Sequence, residues 1–84
     1  MEISMHPSAH KHGMDAETIT ALWPEWIEQR LLDDDSPGRV LRVCLDDAGR
    51  AFELIAVVFD GKRALVIHAM QLRPSTIEQM RSSR

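Results

Sequence analysis

The stretch VLRVCLDDAGRAFELIAVVFDGKRALVIHAM, residues 40–70, decides the fold, because it holds three apolar segments separated by two turn sequences. Asp60-Gly61 lies between the second and third segments. Asp-Gly is typical of a type I′ hairpin turn, in which both central residues have positive φ. The loop at residues 47–50 joins the first two segments. The sequence therefore predicts an antiparallel meander whose three strands cover residues 40–45, 52–59 and 64–70.

A two-residue turn at Asp60-Gly61 also predicts which residues pair across the hairpin. Counting back from this turn places Glu53 directly opposite His68. The simplest pairing through the earlier loop places Cys44 opposite Glu53. A carboxylate beside an imidazole is an arrangement that supports proton transfer, so Glu53 and His68 are the first candidate functional residues.

This register predicts a sheet with two different faces. One face is almost wholly apolar and consists of Leu41, Val43, Leu45, Phe52, Leu54, Ala56, Leu65, Ile67 and Ala69. The other face carries Arg42, Cys44, Glu53 and His68 among the apolar residues Ile55, Val57 and Val66. Because an apolar sheet face must be removed from water, we expect both helices of the chain to cover the first face. The apolar residues of the second face, with Phe59, predict a partner surface.

The sequence predicts one helix before the meander and one helix after it. Asp15 is a candidate N-cap for a helix over residues 16–23. Ser75 and Glu78 form a Ser-x-x-Glu capping box, which predicts a C-terminal helix. Residues 26–32 alternate weakly and indicate a further strand. The expected fold is α+β: an N-terminal helix, an antiparallel meander sheet of three to four strands, and a C-terminal helix.

Length and composition indicate one folded domain. With 84 residues the chain is near the lower limit for a single core, and we expect one domain over residues 1–84 with a partly irregular segment at residues 1–14. Charged residues at 27% and hydrophobic residues at 44% are typical of a folded protein. The single cysteine, Cys44, excludes an internal disulfide and a cysteine-based zinc site. No apolar run reaches the length of a membrane span, so we expect a cytoplasmic protein.

The charge of the chain is unevenly distributed. A net charge of -3 argues against a protein that binds nucleic acid constitutively. From Gly61 onward, however, Glu78 is the single acid among the basic residues Lys62, Arg63, Arg73, Arg81 and Arg84. Two interpretations remain open: a cationic patch that binds phosphate, or a basic tail that is simply solvated.

Three local features resemble the BrnT-like branch of the RelE superfamily of toxins. They are Lys11-His12-Gly13 before a helix with an acidic first turn, the Asp-rich loop before Arg39 and a hairpin, and the last strand, residues 65–70, which runs into Arg73 and a helix. The resemblance extends from about Pro7 to Met80. It implies a RelE-like fold and a small ribonuclease toxin of a toxin–antitoxin system. The partners that it implies are a cognate antitoxin protein and RNA as a transient substrate, in a homo-dimer or a toxin–antitoxin hetero-oligomer.

RNA cleavage of the kind that such a toxin performs without a metal uses the neighbouring 2′-hydroxyl as nucleophile. The reaction needs a base, an acid and cations beside the phosphate. His68 can serve either proton role, because histidine changes its charge near neutral pH. Glu53 can orient His68 or act as the base itself. His12 is a second proton-transfer candidate if the N-terminal segment folds across the sheet.

Four cations are candidate phosphate ligands. Arg73 is expected to stabilise the charge of the transition state, and Lys11, Arg39 and Arg42 are expected to bind the substrate. Arginine suits this role because its planar guanidinium binds phosphate through two hydrogen bonds. No cofactor is expected. The histidines of residues 1–14 lack acidic or cysteine partners at ligand spacing, so no metal site is expected either.

Each of these residues also has a purely structural interpretation. A Glu–His pair stabilises neighbouring strands without any catalysis. Arg39 and Arg42 can protect an edge strand from aggregation. The alternative function is therefore a non-catalytic protein–protein binding module on a toxin-like fold.

Overall fold

The computed structural model describes residues 1–33 and 37–82 and confirms the α+β class. Its elements are β1 (Glu2–Met5), a 3₁₀ helix (Pro7–His10), α1 (Ala16–Leu22), β2 (Trp26–Leu31), β3 (Gly38–Leu45), β4 (Ala51–Phe59), β5 (Arg63–Gln71) and α2 (Pro74–Ser82). The strands form one sheet in the order β1-β5-β4-β3-β2. Strands β2 to β5 form an antiparallel meander, as expected, and β1 adds a parallel strand beside β5, so the sheet is mixed.

Strand β1 was not predicted, and the expected count of three to four strands is therefore wrong. Four residues are too few to show a period, although their exposure does alternate in the structure. Ile3 pairs with Ala64 in β5. The 3₁₀ helix that follows buries Ala9 in the core. The segment at residues 1–14 thus contains an edge strand and one helical turn.

The hairpin turn at Asp60-Gly61 is present, but the loop between the paired strands is three residues long, one residue longer than predicted. Both residues have positive φ, 53° for Asp60 and 69° for Gly61, as Asp-Gly hairpin turns require. Phe59 pairs with Arg63, however, where a two-residue turn would pair Phe59 with Lys62. A shift of one residue moves side chains to the opposite face of a strand.

A bulge in β5 then shifts the pairing by a second residue. Ile67 is the additional residue of the bulge, and beyond it Ile55 pairs with His68. Glu53 pairs with Met70, so the predicted direct pairing of Glu53 with His68 is wrong. Because the two shifts add to two residues and side chains alternate with period two, Glu53 and His68 still lie on one face as diagonal neighbours.

The pairing of β3 with β4 also differs by one residue from the prediction. Cys44 pairs with Phe52, and not with Glu53. The apolar residues are consequently divided between both faces of the sheet. The α1 face packs Cys44, Leu54, Ala56, Ala64, Val66 and Ala69 against Ile19, Leu22 and Trp23. The α2 face packs Leu41, Val43 and Ile55 against Leu72 and Met80.

The helices therefore lie on opposite faces, and the expectation that both cover one face is wrong. The N-cap of α1 is confirmed, since the Thr18 amide donates to Asp15 over 2.8 Å. Helix α2 begins two residues earlier than the capping box predicts, with Pro74 as its first residue. Proline suits that position because the first amide has no partner within the helix. Ser75 thus lies inside the helix and is not its N-cap.

The exposed apolar surface is not where it was expected. Val66 is fully buried, and Ile55, Val57 and Phe59 are partly buried. The large exposed apolar side chains of the sheet belong instead to the edge strand β2: Trp26, Ile27 and Leu31. No described helix has both the length and the apolar character needed to cross a membrane.

Candidate active site on the α2 face

A buried carboxylate, that of Glu53, forms the centre of the candidate site. Glu53 lies on the central strand β4 with 1% of its surface exposed. Its Oε2 accepts hydrogen bonds from Nε2 of His68 and from Nη2 of Arg73, each at 2.8 Å. Its Oε1 accepts from the Arg73 backbone amide at 2.9 Å and from the Thr76 hydroxyl at 2.6 Å. A buried charge is stable only when it is paired in this way.

These hydrogen bonds determine the ionisation of Glu53. Burial by itself raises the pKa of Glu53, but the hydrogen bonds from Arg73, Thr76 and His68 outweigh burial and lower this pKa from 4.5 to about 2. A general base works best with a pKa near the working pH and needs a free lone pair to accept the proton. Of the two roles open to Glu53, the geometry therefore favours orientation of His68 over proton abstraction.

The bond to Glu53 also determines which nitrogen of His68 is available for chemistry. An ionised carboxylate can only accept hydrogen bonds, so Nε2 of His68 carries a proton. Nδ1 is then the atom that can take up or release a proton. The His68 side chain is 22% exposed, which leaves it accessible to a substrate.

Arg73 links the sheet to α2. Its backbone carbonyl accepts from the amides of Thr76 and Ile77 in the first turn of the helix, while its own amide donates to Glu53. Nε and Nη2 of its guanidinium face Glu53. The Arg73 side chain is nevertheless 49% exposed. It therefore combines a fixed position with an accessible cation.

His12 lies beside His68, as its predicted role requires. The ring centroids are 5.7 Å apart and the rings meet edge to face. The segment that carries His12 is attached to β5 beside the bulge, because the Ser8 hydroxyl donates to the carbonyl of Ile67 over 2.6 Å. Lys11 is exposed and adjacent to His12 in sequence.

Arg39 lies near the same cluster. Together with Glu53 and Arg73 it lines a pocket of about 250 Å³. Its Nε forms an ion pair with Asp33 at 2.7 Å, so the guanidinium is held at the pocket. A phosphate would compete with Asp33 for this cation.

Arg42 is not brought to this cluster. It lies on the α1 face, where its guanidinium carbon is 3.9 Å from the centroid of the Trp23 ring. It also donates to the Trp23 carbonyl at 2.9 Å and to the Gln29 side chain at 2.7 Å. These contacts explain its position structurally, through a cation–π interaction and two hydrogen bonds.

Thr76 belongs to the cluster but was not predicted. Its side chain is buried and its hydroxyl donates to Glu53. A threonine in the first turn of a helix is common, and nothing in its neighbourhood indicates a partner 23 residues earlier in the chain. Only the packing of α2 against β4 reveals the contact.

No set of three or more His, Cys, Asp or Glu side chains within residues 1–33 and 37–82 is arranged to hold a metal ion. No protein-family model, curated protein or solved structure matches the chain.

Proposed function

We propose that this protein is a BrnT-like toxin of a toxin–antitoxin system and that it cleaves RNA without a metal. The observation that carries the proposal is the hydrogen bond of 2.8 Å between His68 and the ionised Glu53, with Arg73 on the same carboxylate. The resemblance of Lys11-His12-Gly13 and of the segment from His68 to Arg73 to that family supports it. A cognate antitoxin is the proposed partner.

In the proposed reaction, Nδ1 of His68 removes the proton from the 2′-hydroxyl of the RNA. The 2′-oxygen attacks the adjacent phosphorus, the bond from phosphorus to the 5′-oxygen breaks, and an imidazolium at His12 protonates the departing 5′-oxygen. The products are a 2′,3′-cyclic phosphate and a 5′-hydroxyl. Glu53 stabilises the positive charge that His68 gains, as the carboxylate of a catalytic triad does for its histidine.

The cations of the cluster have a distinct task in this reaction. Negative charge develops on the phosphate oxygens while five oxygens surround the phosphorus. Arg73 is fixed by Glu53 before the substrate arrives, so it stabilises that charge without first having to be ordered. Arg39, on the rim of the adjacent pocket, and the exposed Lys11 are the proposed ligands of the neighbouring phosphates.

The direct test is cleavage of RNA by the purified protein, with detection of 2′,3′-cyclic phosphate ends. His68→Gln should lower the rate roughly 10²-fold or more, because an amide does not exchange protons near neutral pH. Glutamine can still donate to Glu53, so the fold should persist. His10→Gln is a matched control, since His10 is exposed and its imidazole bonds to the nearby Met14 carbonyl. Equal cleavage by His68→Gln and wild type would contradict the proposal.

A second function, that of a non-catalytic protein-binding module, is favoured by the exposed apolar residues of β2. Exposed apolar side chains on an edge strand are typical of surfaces that pair with another chain. Absence of cleavage by the wild-type protein on structured and single-stranded RNA, in the absence of any antitoxin, would favour this function.

A further inference from the structure

Strand β2 forms one edge of the sheet and exposes apolar side chains. Within the described part of the chain β2 pairs with β3 alone, so its other side has no neighbouring strand. Ile27 is 60% exposed, Leu31 58% and Trp26 44%. Edge strands of soluble proteins are usually protected by charges or by covering elements. An edge with this many apolar side chains indicates a strand that pairs with another chain.

The backbone of β2 shows which residues can form that pairing. The Leu32 amide donates to the Arg39 carbonyl over 2.8 Å, toward β3. Backbone groups of an antiparallel strand point alternately to its two sides. The amides and carbonyls of Gln29 and Leu31 consequently point away from β3, toward the free edge. A bulge between Trp26 and Glu28 limits the regular part of the edge to residues 28–31.

The side chains of β2 are complementary to those of a second, antiparallel copy of the same strand. A two-fold axis at Gln29 places Glu28 of each copy opposite Arg30 of the other. Glu28 pairs with Val43 and Arg30 with Leu41, so both charges lie on the α2 face. An axis perpendicular to the sheet keeps that face common to both copies.

Other registers are opposed by charge. An axis at Glu28 places two carboxylates opposite each other, and an axis at Arg30 places two guanidinium groups opposite each other, which destabilises neighbouring strands. An axis at Leu31 places Arg30 opposite the apolar Leu32. The axis at Gln29 is therefore the register in which both charged residues lie opposite a residue of opposite charge.

We propose that β2 is the interface of a homo-dimer in which two copies pair antiparallel about Gln29 and join their sheets into one. The interface is isologous and closes after two copies. Glu53 and His68 lie on β4 and β5, and β3 separates these strands from β2. The candidate active site therefore stays open in the dimer, and the proposal does not depend on the proposed function.

The test is the mass of the full-length protein in solution, measured by sedimentation for wild type and for charge variants. Wild type should be a dimer that dissociates on dilution. Glu28→Arg and Arg30→Glu should each be monomers at concentrations where wild type is a dimer, because each places like charges opposite each other. Glu78→Arg, the same charge change on exposed α2 surface, should leave the dimer intact.

Mixing the two single variants provides the decisive measurement. Glu28→Arg carries two arginines at positions 28 and 30, and Arg30→Glu carries two glutamates, so the mixture should form a hetero-dimer. Recovery of the dimer on mixing also shows that both variants are folded. A monomeric wild type, a dimer unaffected by Glu28→Arg, or a mixture that stays monomeric would each overturn the proposal.

Discussion

His68 donates through Nε2 to Oε2 of Glu53 over 2.8 Å, although neither residue is the direct cross-strand partner of the other. Glu53 pairs with Met70 and His68 pairs with Ile55. The contact is diagonal and spans the two residues by which the hairpin turn and the bulge shift the register. Arg73 and Thr76 reach the same carboxylate from the start of α2. One buried anion thus joins β4, β5 and α2.

Removal of the Glu53 carboxylate should destabilise the fold. Glu53→Ala leaves a cavity and removes the common acceptor of three side chains, and should lower the free energy of unfolding by about 3–5 kcal/mol. Glu53→Gln keeps the shape and some hydrogen bonds, and should cost about 1–3 kcal/mol. Urea denaturation measures both. Asp33→Asn, which breaks the exposed pair with Arg39, should change stability little. Equal effects of Glu53→Ala and Asp33→Asn would contradict the structural role of Glu53.

Acid should remove the stabilisation that the ionised Glu53 carboxylate gives to the fold. The folded-state pKa of Glu53 is about 2, below its ordinary value of 4.5. Stability from this group is therefore fully present above pH 4.5 and is lost as the pH falls toward 2. The shift corresponds to a stabilisation on the order of 3 kcal/mol at neutral pH. The difference in unfolding free energy between wild type and Glu53→Gln should shrink across this window. Other carboxylates contribute equally to both proteins, so a difference independent of pH would refute the assignment.

The sequence predicts the members of this site better than their arrangement. Local signals locate the Asp60-Gly61 turn, the Asp15 cap and the alternating strands, because each depends on neighbouring residues. The bulge at Ile67 has no such signal in the residues around it. The apolar residues were expected on a single face because the predicted register was wrong by one residue between β3 and β4 and by two residues, beyond the bulge, between β4 and β5. Glu53 and His68 still lie on one face because the two shifts in their hairpin add to two residues, which is one full period of a strand.

Long-range contacts were the least predictable part. Arginine is a residue type that commonly binds phosphate, which made Arg42 a candidate ligand. Its stacking on Trp23, however, depends on the packing of α1 against β3, which the sequence does not show. The contact of Thr76 with Glu53 likewise depends on where α2 docks. In both cases the partner is 19 or more residues away in sequence.

Substitutions of Arg73 should separate charge from geometry in RNA cleavage. Arg73→Ala should lower the rate roughly 10²-fold, because a cation beside the developing phosphate charge is lost. Arg73→Lys should retain part of the activity, since the charge remains while the planar guanidinium is lost. Single-turnover rates on one RNA substrate give the comparison. Arg50→Lys, a matched change in the exposed ion pair with Asp46, should cleave as wild type does. Full activity of Arg73→Ala would remove Arg73 from the mechanism.

Substitution of His12 should affect one limb of the pH–rate profile. His12→Phe keeps an aromatic ring edge to face with His68 but cannot donate a proton. The rate should fall, and the decrease in rate on the alkaline side, where a catalytic acid loses its proton, should disappear. His10→Phe serves as the control, because His10 is exposed and its imidazole bonds to the Met14 carbonyl in the same segment. A profile of His12→Phe with the wild-type shape and rate would exclude His12 as the acid.

The proposed toxin function predicts that expression of the protein alone slows bacterial growth, because an uninhibited ribonuclease degrades cellular RNA. His68→Gln should restore growth at the same level of folded protein, because that variant lacks the base but keeps a donor to Glu53. Co-expression of the protein encoded by the neighbouring gene should also restore growth, through formation of a complex. Growth curves with quantified soluble protein distinguish these outcomes. Equal growth inhibition by wild type and His68→Gln would separate toxicity from the proposed chemistry. Normal growth at high levels of folded wild type would argue against a toxin and favour the binding module.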